Sequence, residues 1–320
     1  MTIPSNNTAA LMVGLIGECM VELQRQADGG MRQSFGGDTL NTAVYLSRLC
    51  GGEGIAVDYL TALGDDPMSQ AMRARWREDG VGDGRVRVLA DRLPGLYMIQ
   101  TDEQGERSFL YWRGESAARH CFDGSGADEL LAALGDYHTL YLSGISLAIL
   151  TVEGRERLLG ALRQARSGGT RIVFDNNYRP RLWPDAAEAR KHYEALLGLV
   201  DIALITWEDD VAVFGFATPE QLFSHYAGLG VGEVVIKRGA GSCLLKSADG
   251  RAEVAPEPVE QVVDTTAAGD SFSAAYLAAR LRDGQPEAAA RWGHRLAGGV
   301  IQHPGALIPL AAMPGMPALG

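Results

Sequence analysis

Asp264 to Asp270 reads Asp-Thr-Thr-Ala-Ala-Gly-Asp and runs directly into SFSAAYLAARL, a stretch rich in Ala, Leu, Phe and Tyr. This order predicts a loop of minimal side chains opening a buried helix. Backbone N–H groups in such a loop approach a phosphate closely, and the helix dipole favours the negative charge. Asp270, in the first turn, is placed to act as base toward a substrate hydroxyl. A helix start capped by Thr or Asp would need no ligand. A chance match to D-T-x-G/A-A-G-D in a chain of 320 residues, however, has a probability below about 10⁻⁴ on average residue frequencies. The chemistry indicated is phosphoryl transfer to a hydroxyl.

The elements that must position such a loop follow from hydrophobic periodicity. Short apolar runs predict strands at Met12–Ile16, Val57–Leu63, Thr139–Ser143, Arg171–Asp175, Ile202–Thr206 and Val234–Lys237. Helical spacing lies between them, at Thr39–Leu49, Met68–Asp79, Val152–Arg166 and Ala186–Leu197. The alternation predicts an α/β fold with a mostly parallel, doubly wound (Rossmann-like) sheet and helices on both faces. Ligands of such sheets bind beyond the carboxyl ends of the strands. Two stretches break the rhythm. Residues 18–35 hold no helical pattern, and residues 92–117 alternate around a turn at Asp102–Gly105, with Leu96–Ile99 and Ser108–Trp112 as hairpin partners. Paired together, they would form a small β-sheet lid that excludes water from phosphoryl transfer.

Composition narrows the classes. The chain is 46% hydrophobic and 22% charged with a net charge of −11, ordinary globular values that argue against nucleic acid or an anionic membrane as partner. Cys19, Cys50, Cys121 and Cys243 are widely spaced, and the six histidines form no HxH or HExxH pattern, so neither a disulfide framework nor a protein-held metal is expected. The longest uncharged apolar stretch, Tyr141–Val152, is too short to span a bilayer. Residues 1–10 lack the Lys or Arg of an export signal, residues 1–9 read as a disordered tail, and a cytoplasmic protein is expected.

GGDTLNTAVYLSRL from Gly36 and DTTAAGDSFSAAYLA from Asp264 resemble the two signature regions of the ribokinase-like (PfkB) carbohydrate kinases. Together with GECMVEL, RLPGLYMIQTD, GERSFLYWR, YLSGISLAIL and FDNNYRPRLW, spread over about residues 11–309, they resemble the branch of that family acting on 2-keto-3-deoxygluconate. The resemblance implies a single ribokinase-like domain over 1–320 with lid strands inserted at about 18–35 and 92–117. It implies MgATP-dependent phosphorylation of the C6 hydroxyl of 2-keto-3-deoxy-D-gluconate, with a monovalent cation compatible, and a homo-oligomer formed through the lid. It casts Asp270 as base, and the backbone of Ala267, Ala268, Gly269 and Asp270 as the anion hole. Family members commonly carry Gly where Ala267 stands; alanine keeps the N–H. Gly37, Asp38, Thr39, Leu40 and Asn41 match the first sugar-contacting segment, although Asp38 or Thr39 capping the next helix fits the same residues.

Tyr97, Tyr111 and Arg113 would recognise the acid and keto end, Arg113 through a planar fork matched to carboxylate. In the intact D-x-N-x-R pattern, Asn177 and Arg179 would reach nucleotide, with Arg179 also within reach of substrate. Lys237, Arg238, Gly239, Gly241 and Ser242 match the nucleotide loop, with a glycine turn in a β-hairpin as the alternative reading of the residues. His294 falls where a late helix approaches adenine. One departure stands out: the family's N-x-x-E reads Thr206-Trp207-Glu208-Asp209 here, which puts the Mg²⁺-side carboxylate in question.

Within the same class, a 2-keto-3-deoxygalactonate kinase or a fructokinase is the alternative reading. The Tyr and Arg residues of the lid argue against a neutral sugar. A dinucleotide oxidoreductase would share the α/β rhythm, but the turn after the first strand reads GLIGECM and not GxGxxG. A non-catalytic sugar-binding protein would be expected to lose Asp270 or Gly269, and both are present.

Overall fold

The computed structural model describes residues 10–319 except 27, 53 and 102–106. The tail at 1–9 and the turn at 102–105 therefore lie outside the described residues. In chain order the elements are β1 (Leu11–Ile16), β2 (Met20–Arg25), β3 (Met31–Gly36), α1 (Asp38–Cys50), β4 (Ile55–Leu60), β5 (Ala62–Leu63), α2 (Pro67–Glu78), β6 (Val81–Gly82), β7 (Arg87–Val88), β8 (Gly95–Thr101), β9 (Arg107–Trp112) and α3 (Asp128–Ala133). There follow β10 (Thr139–Ser143), α4 (Gly144–Ile149), α5 (Val152–Ser167), β11 (Arg171–Asp175), α6 (Ala186–Leu197), β12 (Ile202–Thr206), α7 (Trp207–Phe214), α8 (Pro219–Gly228), β13 (Glu233–Lys237), β14 (Cys243–Ser247), β15 (Gly250–Val254), α9 (Ala268–Arg280) and α10 (Pro286–Val300).

Nine strands form one sheet in the order β15-β14-β13-β12-β11-β10-β1-β4-β6. Neighbours from β13 through to β6 are parallel, and β14 and β15 add an antiparallel edge. Side chains alternate across a strand, and here both faces are apolar. Leu140, Leu142, Ile172, Phe174 and Ile205 pack with Leu158 and Leu162 of α5 and Leu196 of α6. Tyr141, Val173 and Leu204 point the other way, onto Leu40 and Val44 of α1 and Phe272 and Tyr276 of α9. Strands buried on both faces read as continuous apolar runs, and β10, β11 and β12 keep the expected bounds.

The four-stranded second sheet runs β3-β2-β8-β9. The expected lid pairing is present: β2 and β3 come from the first irregular stretch, β8 and β9 from the second, and β2 joins β8 in parallel. One expectation changes. Val57–Leu63 is not one strand, because Ala62–Leu63 leaves the large sheet to pair with β7; the Thr61 carbonyl accepts from Arg87 N–H at 2.9 Å. An apolar run records burial, not a change of partner. The glycine turn after Lys237 does close a hairpin, β13 to β14, with Gly239 at φ 56°.

Candidate active site

β1, β11, β12 and β13 are parallel neighbours or near neighbours, so their carboxyl ends share one side of the sheet, where open α/β sheets bind ligands. α9 opens on that side. Ala267, just before the helix, sits in the left-handed region at φ 61°, ψ 16°. The Ala268 N–H closes a turn on the Thr265 carbonyl at 3.2 Å. That leaves Gly269 and Asp270 as first-turn donors for which a helix has no internal acceptor. Gly269 is exposed and Asp270 half-buried, so this cradle is open to a ligand.

Three motifs far apart in the chain converge on it. Asn41 Nδ2 donates to Asp270 Oδ2 at 2.8 Å. Thr42 Oγ1 donates to the Asp270 carbonyl at 3.3 Å. Asn177 Nδ2 donates to Asp38 Oδ2 at 2.7 Å, so the 36–41 and 175–179 segments touch. Loss of solvent around the Asp270 carboxyl pushes its pKa up to about 8, reinforced by the negative charge of Asp38 and opposed by the Asn41 hydrogen bond. A carboxyl titrating near neutrality suits a general base. The buried Asn41 Oδ1 has no partner among the described residues.

Lys237 lies deeper than a ribose contact would require. Its buried ammonium donates to Asp175 Oδ2 at 2.6 Å and to Ser273 Oγ at 3.3 Å. Ser273 Oγ donates to the same carboxylate oxygen at 2.9 Å, and the Tyr141 hydroxyl does so at 3.3 Å. A Cβ on Gly269 would stand 3.6 Å from Lys237 Nζ, which puts this cation beside the anion cradle. Asp175 and Ser273 were not among the expected site residues. Their sequence signals were the first Asp of D-x-N-x-R and a serine three residues after Asp270, on the same helix face.

The sugar segment divides by side chain. Gly37, Asp38 and Asn41 border the site, while Leu40 is 2% exposed and packs in the core, leaving only its backbone to face a ligand. Thr39 Oγ1 is buried against the Tyr59 hydroxyl at 2.8 Å. A Cβ on Gly37 would fall 2.2 Å from the Glu18 carbonyl oxygen, so only glycine fits there.

On the lid, Tyr97 pairs with Tyr111 across the strands with ring centroids 5.8 Å apart, and Arg113 Cζ lies 5.9 Å from the Tyr111 ring. Arg113 is not a solitary cation: its Nη2 donates to Glu18, while its buried Nε has no partner among the described residues. The Tyr97 hydroxyl donates to Glu22. Burial of the phenol, with the Glu22 charge beside it, pushes the Tyr97 pKa upward.

Arg179 is exposed, donates to the Tyr178 carbonyl at 2.9 Å and lies 3.7 Å from Asp209 Oδ2. Asp209 Oδ2 also accepts from Tyr178 N–H at 3.0 Å, and burial raises its pKa. Arg238 is spent on the hairpin itself, bonded to the Ser242 carbonyl at 2.7 Å and to Glu253 at 2.7 Å. Exposed Gly239 and Gly241 form the open rim of that hairpin. His294 Nε2 meets the Val254 carbonyl at 3.0 Å and the ring stacks edge-on against Phe272, so it ties α10 to the sheet edge.

Residues 11–313 match the sequence profile of pfkB family carbohydrate kinases. The 2-dehydro-3-deoxygluconokinase of Dickeya dadantii (strain 3937) is 48% identical over 307 residues, covering 94% of this chain and 98% of that protein. Among solved structures, the PfkB protein from Polaromonas sp. JS666 superposes with a TM-score of 0.79 at 26% identity over 92% of this chain and 96% of its own. A fructokinase with bound ATP from Xylella fastidiosa has the same fold, with a TM-score of 0.78 at 23% identity over 95% of both chains. With a parallel α/β sheet, a small second sheet and both signature segments meeting at Asp270, the chain belongs to the pfkB family of carbohydrate kinases.

Proposed function

We propose that this kinase transfers the γ-phosphoryl group of ATP to the C6 hydroxyl of 2-keto-3-deoxy-D-gluconate, giving the 6-phosphate. The observation that carries the reading is Asn41, which holds Asp270 through Nδ2 while its buried Oδ1 has no partner among the described residues. Buried polar atoms are rarely left unpaired, and a sugar hydroxyl donating to Oδ1 would sit beside the Asp270 carboxylate. The substrate class is supported by the near full-length identity to a relative bearing that activity in its name.

In this reading Asp270 takes the C6 proton as the hydroxyl oxygen bonds to the γ-phosphorus and the bond from that phosphorus to the β–γ bridging oxygen breaks, with ADP as the leaving group. The N–H groups of Gly269 and Asp270, with the backbone of Ala267 and Ala268, accept charge developing on the γ-phosphoryl oxygens. Lys237 adds a fixed cation beside them. Gly37, Asp38 and Asn41 orient the sugar hydroxyls, with Thr39 and Leu40 holding that segment in the core. Arg113, set against the Tyr111 ring that pairs with Tyr97, meets the substrate carboxylate. Asn177, Arg179, Gly239, Gly241 and Ser242 border the nucleotide, with Arg238 and His294 shaping its site from behind.

Mg²⁺ bound with the nucleotide would supply charge neutralisation to the phosphates. Asp209, whose Oδ2 accepts from the Tyr178 N–H, would hold that ion as an oxygen donor, shorter in reach than the glutamate common in the family. The exposed edge strand β9, with Phe109, Leu110, Tyr111 and Trp112 between 39% and 57% exposed, supports a homo-oligomer formed through the lids.

A coupled ATP-turnover assay with 2-keto-3-deoxygluconate, 2-keto-3-deoxygalactonate, gluconate, fructose and ribose tests the reading. Preference for the keto-deoxy acids is expected. Preference for fructose or ribose would keep Asp270 as base and overturn the carboxylate assignment on the lid.

A further inference from the structure

The small sheet joins the large one by four passages of chain: residues 17–19 between β1 and β2, Gly37 between β3 and α1, residues 93–95 entering β8, and residues 113–116 leaving β9. One residue meets them all. Glu18 lies in the first passage and is 2% exposed. Its carbonyl oxygen occupies the space a Cβ on Gly37 would take, 2.2 Å away. Its Oε1 lies 2.7 Å from where a Cβ on Gly95 would stand, so the third passage needs glycine to accommodate it. In the fourth passage Ser116 Oγ donates to Oε1 at 2.6 Å and Arg113 Nη2 donates to Oε2. The third and fourth passages are also tied directly, by the Ala117 N–H to the Leu93 carbonyl at 2.8 Å.

A carboxylate this deeply buried persists only when charge and hydrogen bonds compensate it. Arg113 supplies the charge, and Glu18 in turn fixes the guanidinium. Glu18 engages the guanidinium through Nη2, and the buried Nε has no partner among the described residues.

We propose that Glu18 is the positioning residue of the lid hinge: it holds the Arg113 guanidinium, whose side chain stays partly exposed, where a substrate carboxylate meets it. The inference rests on the reading of Arg113 as the carboxylate contact. Glu18 touches no substrate and acts through Arg113 alone. Replacing its charge with an amide of the same size keeps a partner for Ser116 and loosens the arginine.

The test is a double-mutant cycle on the full chain with Glu18→Gln, Arg113→Ala and the pair, measuring KM for 2-keto-3-deoxygluconate and for ATP separately. Glu18→Gln is expected to raise the sugar-acid KM about tenfold, the scale of a charge-assisted hydrogen bond, with the ATP KM within about twofold, a split that marks lost substrate binding. In the Arg113→Ala background the same change is expected to have no further effect. Effects that multiply across the cycle, or KM values that rise together for both substrates, would overturn the proposal while leaving the Arg113 reading intact. An unchanged sugar-acid KM in Arg113→Ala alone would overturn that reading and this proposal with it. Should Glu18→Gln fold poorly, Ser116→Ala frees one oxygen of the same carboxylate. It is expected to raise the sugar-acid KM in the wild-type background and not in Arg113→Ala; any other pattern counts against Glu18.

Discussion

Asn41 and Asp270 are 229 residues apart in the chain, yet the Asn41 amide donates to the Asp270 carboxylate at 2.8 Å. One residue belongs to α1, which follows the lid's second passage, the other to the start of α9. Their contact joins the 36–41 segment to the start of α9 through one hydrogen bond. If Asp270 is the base, Asp270→Asn preserves shape and removes proton acceptance. We expect kcat to fall by about 10²–10⁴, the usual range for general-base help, while ATP affinity in an equilibrium titration stays close to wild type. Near-normal turnover would end the base assignment.

Protonation of Asp270 should also set the acid limb of the pH profile. Desolvation and the Asp38 charge raise its pKa to about 8 in the free protein. Activity needs the ionised form, so kcat/KM should rise with pH through that titration. Asp38→Asn removes a like charge and should move the limb toward lower pH, even as it weakens sugar binding. A limb unmoved by this change would mean that another group controls it.

The same shift makes a prediction about stability. A carboxyl whose pKa is higher folded than unfolded binds more protons in the folded state between the two values, so its contribution to stability declines as pH rises through that window. The window runs from about 4, the ordinary Asp value, to about 8 for Asp270. Asp270→Asn should therefore gain in Tm relative to wild type as pH is raised across it. A Tm difference independent of pH would show that ionisation of Asp270 is not penalised by the fold.

Lys237 and Asp175 form a buried ion pair at 2.6 Å. Lys237→Met strands the Asp175 carboxylate and should destabilise the fold by about 3–5 kcal/mol, the scale for breaking such a pair from one side. Adding Asp175→Asn should restore much of the denaturant midpoint, yet turnover should stay low, because the cation beside Gly269 is still missing. Activity returning together with stability would reduce Lys237 to a structural role.

Ala267 holds φ 61° without being glycine. The left-handed conformation costs an L-residue with a Cβ roughly 1–2 kcal/mol, so Ala267→Gly should be neutral to stabilising in thermal denaturation despite the added freedom of the unfolded chain. Turnover should be retained, because the backbone N–H groups are unchanged. A lower Tm would show that the methyl group contributes packing which outweighs the strain.

The order of strands and helices, the phosphate-side loop and Asp270 were legible in the sequence because each is a local pattern: alternation, helical spacing, or a run of small residues before an apolar helix. β10, β11, β12 and α6 keep the expected bounds for that reason. Pairing across the fold was not legible. Nothing near Glu18 in sequence announces that it meets Arg113 and Ser116, 95 and 98 residues away. Lys237 read as a ribose or phosphate contact from its loop, and only the tertiary structure brings Asp175, from the strand two places along the sheet, beneath its ammonium. Local propensity acts over a few residues and leaves its mark in composition. Ion pairs, hinge contacts and desolvation depend on which distant segments the sheet order brings together, and the chain records those only once it has folded.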